Sequence, residues 1–253
     1  MKRLILVVVG MLLATAPCLR AALILPPQPD NEADGFVRLT YGGFAGTGFA
    51  PENSLFTVDI QPGGGGVPIP PIPPTRYAGW CFDWDTEIDP GGPEFGASHP
   101  GTMYSGYLYS SQDPTLNSYL PDHPNVKKDG ATWNKLNWVI NHRRVACNGL
   151  VPTMWEVQRT ISALMGQTVP TEGYPNYRPA VVQCLIDSAN AAHASGWTPS
   201  CGDKIAVIYN IDINWDNYAP EIQLIFIEVP VACLGDRVWH DQDKDGVQDA
   251  GEP

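Results

Sequence analysis

The stretch Ala78-Gly79-Trp80-Cys81-Phe82-Asp83-Trp84-Asp85 decides how the rest of the chain is read. Its strict two-residue alternation predicts a β-strand. Trp80, Phe82 and Trp84 fall on one face, with enough aromatic area for a core face. Cys81, Asp83, Asp85 and Glu87 fall on the other. One thiol in a row of carboxylates is the first candidate for chemistry.

Moving upstream, Gly35 to Phe44 and Leu55 to Gln61 read as strands, carrying Phe36, Val37 and Leu39, then Phe56, Val58 and Ile60. The run Gly63 to Gly66 and the proline-rich stretch Val67 to Pro74 read as an exposed loop. Downstream, Glu87 to Gly101 is a glycine- and proline-rich loop, and Met103 to Ser111 alternates as a further strand. A helix opens at Thr132, with Trp133, Leu136, Val139 and Ile140 on one face and Asn137 at its edge. The next helix carries the clearest start signal. Thr153-Met154-Trp155-Glu156 fits the capping box, and Met154, Val157, Ile161, Leu164 and Met165 form its apolar stripe. Gln158 lies at the border of that stripe, where its carboxamide needs a partner, because burying it unpaired costs a few kcal/mol. A third helix starts at Pro179, a favoured first helical residue, and ends near Gly196. Lys204 to Ile211 and Ile222 to Val231 are apolar and β-branched and close the domain as strands. The expected fold class is α+β: a β-sheet or barrel-like domain with a cluster of helices inserted between its strands.

Composition sets the compartment. Lys2 and Arg3 precede an apolar run from Leu4 to Ala16, and Ala21 and Ala22 follow, the layout of a secretory signal peptide over residues 1–22. Pro17 before Cys18 argues for simple cleavage rather than lipid attachment, and no second apolar stretch is long enough to span a bilayer. The mature chain is expected to be secreted and associated with the cell surface. The formal charge of −12 falls to about −15 without the leader, which excludes nucleic acid and anionic membranes as partners and suits cations. Five cysteines remain after cleavage: Cys81, Cys147, Cys184, Cys201 and Cys233. Export makes disulfides their default fate, and an odd number leaves one over.

The C-terminal stretch is the densest motif. Asp241, Asp243, Asp245, Gly246, Val247, Asp249 and Glu252 stand at positions 1, 3, 5, 6, 7, 9 and 12 of a calcium loop. The side-chain oxygens and the Val247 carbonyl would hold Ca²⁺, and the glycine permits the turn. Leu234 to Trp239 reads as a strand, so this is not an EF-hand. Leu234 to Pro253 closely resembles the start of the B-type repeat of serine-aspartate-repeat surface adhesins, calcium-stabilised β-sandwich modules. The resemblance implies that 234–253 is the beginning of such a module, in a truncated gene product or a fragment of a longer surface protein.

Tyr77 to Leu164 is similar, through shorter motifs, to the thioester domain of bacterial surface adhesins. The similar features are a cysteine after an aromatic residue on an early strand and a helix bearing Val157-Gln158-Arg159-Thr160-Ile161. In that family a cysteine thiol displaces ammonia from a glutamine carboxamide, and the resulting thioester can acylate an amine on a host protein. The resemblance assigns these roles to Cys81 and Gln158 in residues 23–233. It leaves Cys147, Cys184, Cys201 and Cys233 for two disulfides. The family's alanine and tryptophan, two and four residues after the glutamine, are here Thr160 and Ser162.

The function expected is adhesion or surface architecture, with at most one turnover at a thioester and no enzyme activity in the ordinary sense. A non-covalent binding domain, with all cysteines in disulfides or free, is the alternative. A carbohydrate-active or carbohydrate-binding protein is a further one, since Asp83, Asp85 and Glu87 supply carboxylates and the chain has eight tryptophans. His99, His123, His142, His193 and His240 form no metal-ligand spacing.

Overall fold

The computed structural model describes residues 35–41, 54–62, 76–83, 88, 103–119, 129–167, 177–211 and 224–231, the first strand and some element ends as backbone alone. All of them belong to one unit, Ala22–Cys233. Residues 1–22, the loop 62–75 beyond Pro62, and the acidic stretch 234–253 lie outside the described residues.

Among the described residues there are six strands: β1 (Gly35–Tyr41), β2 (Phe56–Pro62), β3 (Arg76–Cys81), β4 (Met103–Ser110), β5 (Lys204–Ile211) and β6 (Ile225–Pro230). They close an antiparallel barrel in the order β1-β2-β3-β6-β5-β4. Four helices lie between β4 and β5: α1 (Leu116–Tyr119), α2 (Gly130–His142), α3 (Met154–Met165) and α4 (Pro179–Ala194). The α+β class and the helical insertion are those expected from the pattern. The short α1 has no apolar period to betray it; its signal is Asp113, whose Oδ1 accepts from the Thr115 amide and hydroxyl.

The strands most deeply buried read as continuous apolar runs. Ile205 to Tyr209 and Leu224 to Ile227 are buried without interruption. Both faces are therefore covered, one by the barrel interior and the other by the helices. Asn137 on α2, expected at a helix edge, is buried and joins the layers. Its Oδ1 accepts from the Ala206 amide at 2.8 Å, and its Nδ2 donates to Ser111 Oγ.

The first residue of α2 is set by Asp129, whose carboxylate accepts from the Thr132 amide, so the helix begins before Thr132. The capping box of α3 is formed: Thr153 Oγ1 accepts from the Glu156 amide, and the Glu156 carboxylate accepts from the Thr153 amide. Gly166, at φ 83°, ends α3 in the left-handed region that glycine tolerates.

β3 lies between β2 and β6, with Trp80 opposite Phe226 and Cys81 opposite Ile225. It is pinned from the helical side. Trp80 Nε1 donates to Glu228 Oε1 at 2.8 Å, and Glu228 also receives Arg143 Nε, Arg143 Nη2 and Lys204 Nζ. One buried carboxylate thus joins β3, β5, β6 and the end of α2, and its oxygens are satisfied as buried polar atoms require. Phe82 then packs edge-on to Trp133 of α2 at 5.3 Å. Gly79 is needed for close approach, because a Cβ there would collide with Val58 Cγ2.

Candidate thioester site

Hydrogen-bond parity along β3 determines what Cys81 offers. The Phe82 amide donates to the Leu224 carbonyl at 3.2 Å, so the main chain of Phe82 faces β6. In an antiparallel strand the next residue faces the other neighbour, so the Cys81 N–H and C=O point to the β2 side. The β2–β3 pairing stops at Phe56 opposite Gly79, two residues short of Cys81. Two main-chain groups are left there needing partners in a buried place.

Gln158 of α3 fills that gap. Its Oε1 accepts from the Cys81 amide at 3.2 Å, and its Nε2 donates to the Cys81 carbonyl at 2.7 Å. The carboxamide stands in for a missing strand residue, meeting both main-chain groups of Cys81. Ser162, one turn on, accepts from Gln158 Nε2 at 3.3 Å and donates to the Gln158 carbonyl at 3.1 Å. Both hydrogens of the carboxamide nitrogen are therefore directed. The serine at the position of the family's tryptophan is part of this geometry.

Cys81 is 1 % exposed, Gln158 0 % and Asp83 1 %. The Cys81 thiol is free and donates to the Asp83 carbonyl at 3.4 Å. Burial pushes the thiol far above the ordinary cysteine range; the contact to the Asp83 main chain works against this, and the Asp83 charge adds to it. The Asp83 carboxylate accepts from Gln167 Nε2, just beyond the end of α3, at 3.2 Å.

Two expectations need correction. The strand does not run on to Asp85 but ends at Cys81, and Asp83 belongs to no open acidic face. It is enclosed with the cysteine, its carboxylate against Gln167 just beyond α3. Trp84, Asp85 and Glu87 lie outside the described residues, and a buried Asp83 does not furnish one wall of a sugar groove. Gln158 is not a border residue either. A helical wheel assumes one packed face, whereas α3 packs against β3, α2 and α4 together, so its polar side is buried as well.

Cys147 and Cys184 form a disulfide between the loop after α2 and helix α4. Cys201 is also disulfide-bonded, and Cys233 lies outside the described residues. The six calcium-loop residues, Asp241, Asp243, Asp245, Val247, Asp249 and Glu252, lie outside them too. Among the described residues no cluster of histidine, cysteine, aspartate and glutamate could hold a metal ion. No helix there is long and apolar enough to cross a membrane.

Sequence reasoning assigned no site role to Ser162, noted there only as a departure from the family pattern, or to Gln167. Ser162 had a readable signal, its i+4 spacing from Gln158. Gln167 had none, because it follows the helix and reaches Asp83 only through the fold.

No family model matches the sequence, and no curated protein does. Solved structures do. The chain is similar to adhesin domains. The N-terminal domain of the Streptococcus pyogenes pilus tip adhesin Cpa aligns at 11 % identity and a TM-score of 0.46, covering 82 % of this chain and 100 % of that one. The N-terminal thioester domain of fibronectin-binding protein SfbI from Streptococcus pyogenes aligns at 11 % and 0.41, covering 81 % and 98 %. That of a surface protein from Clostridium perfringens aligns at 12 % and 0.41, covering 77 % and 99 %. At this distance the chemistry must rest on the chain's own geometry.

Proposed function

We propose that this chain is an exported surface adhesion domain that closes an internal thioester between Cys81 and Gln158 and spends it in one acyl transfer to an amine. The observation that carries the reading is the Gln158 carboxamide, buried and held by both main-chain groups of a residue whose thiol is free. The surface role rests on the leader and on the two sequence resemblances.

The bond changes are simple. Cys81 Sγ attacks Gln158 Cδ, the thiol proton goes to the departing nitrogen, and the C–N bond breaks to release ammonia. The Cys81 amide already donates to Gln158 Oε1, where negative charge gathers as the tetrahedral intermediate forms, so it acts as an oxyanion donor. Fixing both groups removes much of the entropic cost of bringing them together. Exclusion of water protects the thioester from hydrolysis. An amine of a partner then attacks the same carbon, and the thiol leaves with the proton the amine gives up.

Intact mass of the signal-processed chain under non-reducing conditions, before and after methylamine, tests this. The expected result is a mass short by one ammonia, after allowing for disulfides, and a methylamine adduct mapped to Gln158. Full mass with no adduct would leave a non-covalent binding domain.

The acidic loop 241–252 is proposed, on its ligand pattern alone, to bind Ca²⁺ through Asp241, Asp243, Asp245, Asp249, Glu252 and the Val247 carbonyl. Calorimetric titration of the full chain should show a calcium heat that Asp245→Asn reduces; equal heats for the two chains would remove the assignment.

A further inference from the structure

The nitrogen that leaves Gln158 in closure and the nitrogen that enters in transfer bond to the same carbon, one step being the reverse of the other in kind. What now surrounds Gln158 Nε2 is therefore what an incoming amine meets. Nε2 donates to the Cys81 carbonyl at 2.7 Å and to Ser162 Oγ at 3.3 Å. Ser162 is buried, and its own hydroxyl hydrogen goes to the Gln158 main-chain carbonyl, four residues back, at 3.1 Å. A hydroxyl has a single hydrogen, so toward the nitrogen this serine acts as an acceptor. The Cys81 carbonyl is an acceptor as well. Gln158 Oε1 meets a donor instead, the Cys81 amide. Two acceptors thus face the nitrogen and one donor faces the oxygen, which gives the carboxamide one orientation.

We infer that Ser162 Oγ and the Cys81 carbonyl form a two-acceptor seat for the reacting nitrogen, and that Ser162 thereby makes the site favour primary over secondary amines. The inference rests on the thioester reading above and adds the amine's seat to it. An attacking amine must aim its lone pair at Gln158 Cδ. A primary amine then has two N–H bonds left, one for each acceptor, and a single carbon substituent to point away. A secondary amine has one N–H, which goes to the nearer Cys81 carbonyl, so it does not engage Ser162. Ser162 neither gains nor loses a proton. In closure the thiol proton goes to the departing nitrogen as the S–C bond forms and the C–N bond breaks. In transfer the new C–N bond forms, the C–S bond breaks, and the amine's surplus proton goes to the sulfur. The serine contributes aim, holding the nitrogen where its lone pair meets the carbon.

Ser162→Ala removes the hydroxyl with little change in volume, and alanine favours a helix more than serine does. The full signal-processed wild-type and variant chains are followed by intact mass, first for ammonia loss after synthesis, then for capture of methylamine and of dimethylamine. Far-UV circular dichroism and the melting temperature establish that the variant is folded. Closure in Ser162→Ala should slow by about three- to tenfold, the worth of one neutral hydrogen bond. Methylamine capture should slow by a similar factor while dimethylamine capture stays near the wild-type rate, so the preference for the primary amine falls. Steric bulk cancels in this comparison, because each amine is measured on both chains. Equal slowing of the two amines overturns the seat, since a merely structural serine would act on both alike. So does closure at the wild-type rate, or an unchanged preference. A folded variant that never closes overturns it too, because one hydrogen bond does not stop a reaction, and so does a wild-type thioester that takes no dimethylamine at all. A wild-type chain that keeps its ammonia overturns the thioester itself, and the seat with it.

Discussion

In the proposed reaction Cys81 and Gln158 share one bond-forming step, yet they contribute unequally to the fold. The cysteine's side chain makes one weak sulfur contact, to the Asp83 carbonyl. The glutamine's side chain satisfies two buried main-chain groups that no strand reaches. Cys81→Ala should therefore abolish the methylamine adduct while costing only about 1 kcal/mol relative to the wild-type chain with its thioester opened, the loss expected for a small buried group. Gln158→Ala should abolish the adduct too and cost about 2–4 kcal/mol, because it orphans a donor and an acceptor in the interior. Urea unfolding of the two variants beside methylamine-treated wild type separates these outcomes. Equal destabilisation would mean that the carboxamide does not complete the β3 ladder.

At the scale of elements, α3 must be held at its first turn for Gln158, in its second, to meet Cys81. Glu156 stands there at 0 % side-chain exposure against Arg178. Burial alone would raise this carboxyl, but bonds from the Arg178 guanidinium and from the Thr153 and Arg178 amides hold it below the ordinary carboxylate range. Its folded value lies under its unfolded one. The contribution is therefore full above the unfolded value, roughly pH 4.3, and is lost as pH falls through the folded value below that. Arg178→Ala should lower stability near neutral pH, and the gap to wild type should shrink at pH values under the folded one. Urea unfolding at both ends of the window checks this, and a gap independent of pH would rule out the ion pair as its cause. Removing the Thr153 cap by Thr153→Ala should cost about 1 kcal/mol. The Thr153 box was legible in sequence because a cap is local. The Glu156–Arg178 pair was not, because its partners are brought together from different parts of the chain. The two last strands were legible as strands from their β-branched runs, whereas the burial of the polar side of α3 was not, since a lone helix gives no hint of its neighbours. Asp83 was misread for the same reason: alternation holds only while the strand does.

On the scale of the whole molecule, the thioester would be a covalent link between β3 in the barrel and α3 in the helical layer. These two residues are 77 positions apart. The Cys147–Cys184 disulfide, at a separation of 37, acts only within the helical layer and the loop that enters it. A cross-link chiefly restricts the unfolded chain, and the restriction grows slowly with loop length. By that relation the disulfide contributes on the order of 4 kcal/mol and the longer thioester loop slightly more. The two loops overlap between Cys147 and Gln158, so their effects should fall short of a sum. Opening the thioester with methylamine should thus lower the melting temperature of the folded chain, although only Gln158, now an N-methyl amide, and Cys81, released as a thiol, have changed. Part of the loss is local, since the opened site carries an N-methyl amide where the peptide of Cys81 needs its partner. Cys81→Ala provides the control: it lacks the link but keeps the native carboxamide. If the cross-link dominates, Cys81→Ala and methylamine-treated wild type melt together, both well below the untreated protein. If local packing dominates, Cys81→Ala melts with the untreated protein and the methylamine adduct alone falls. Calorimetry of the three samples at one pH decides between a bond that braces the domain and one held only for transfer.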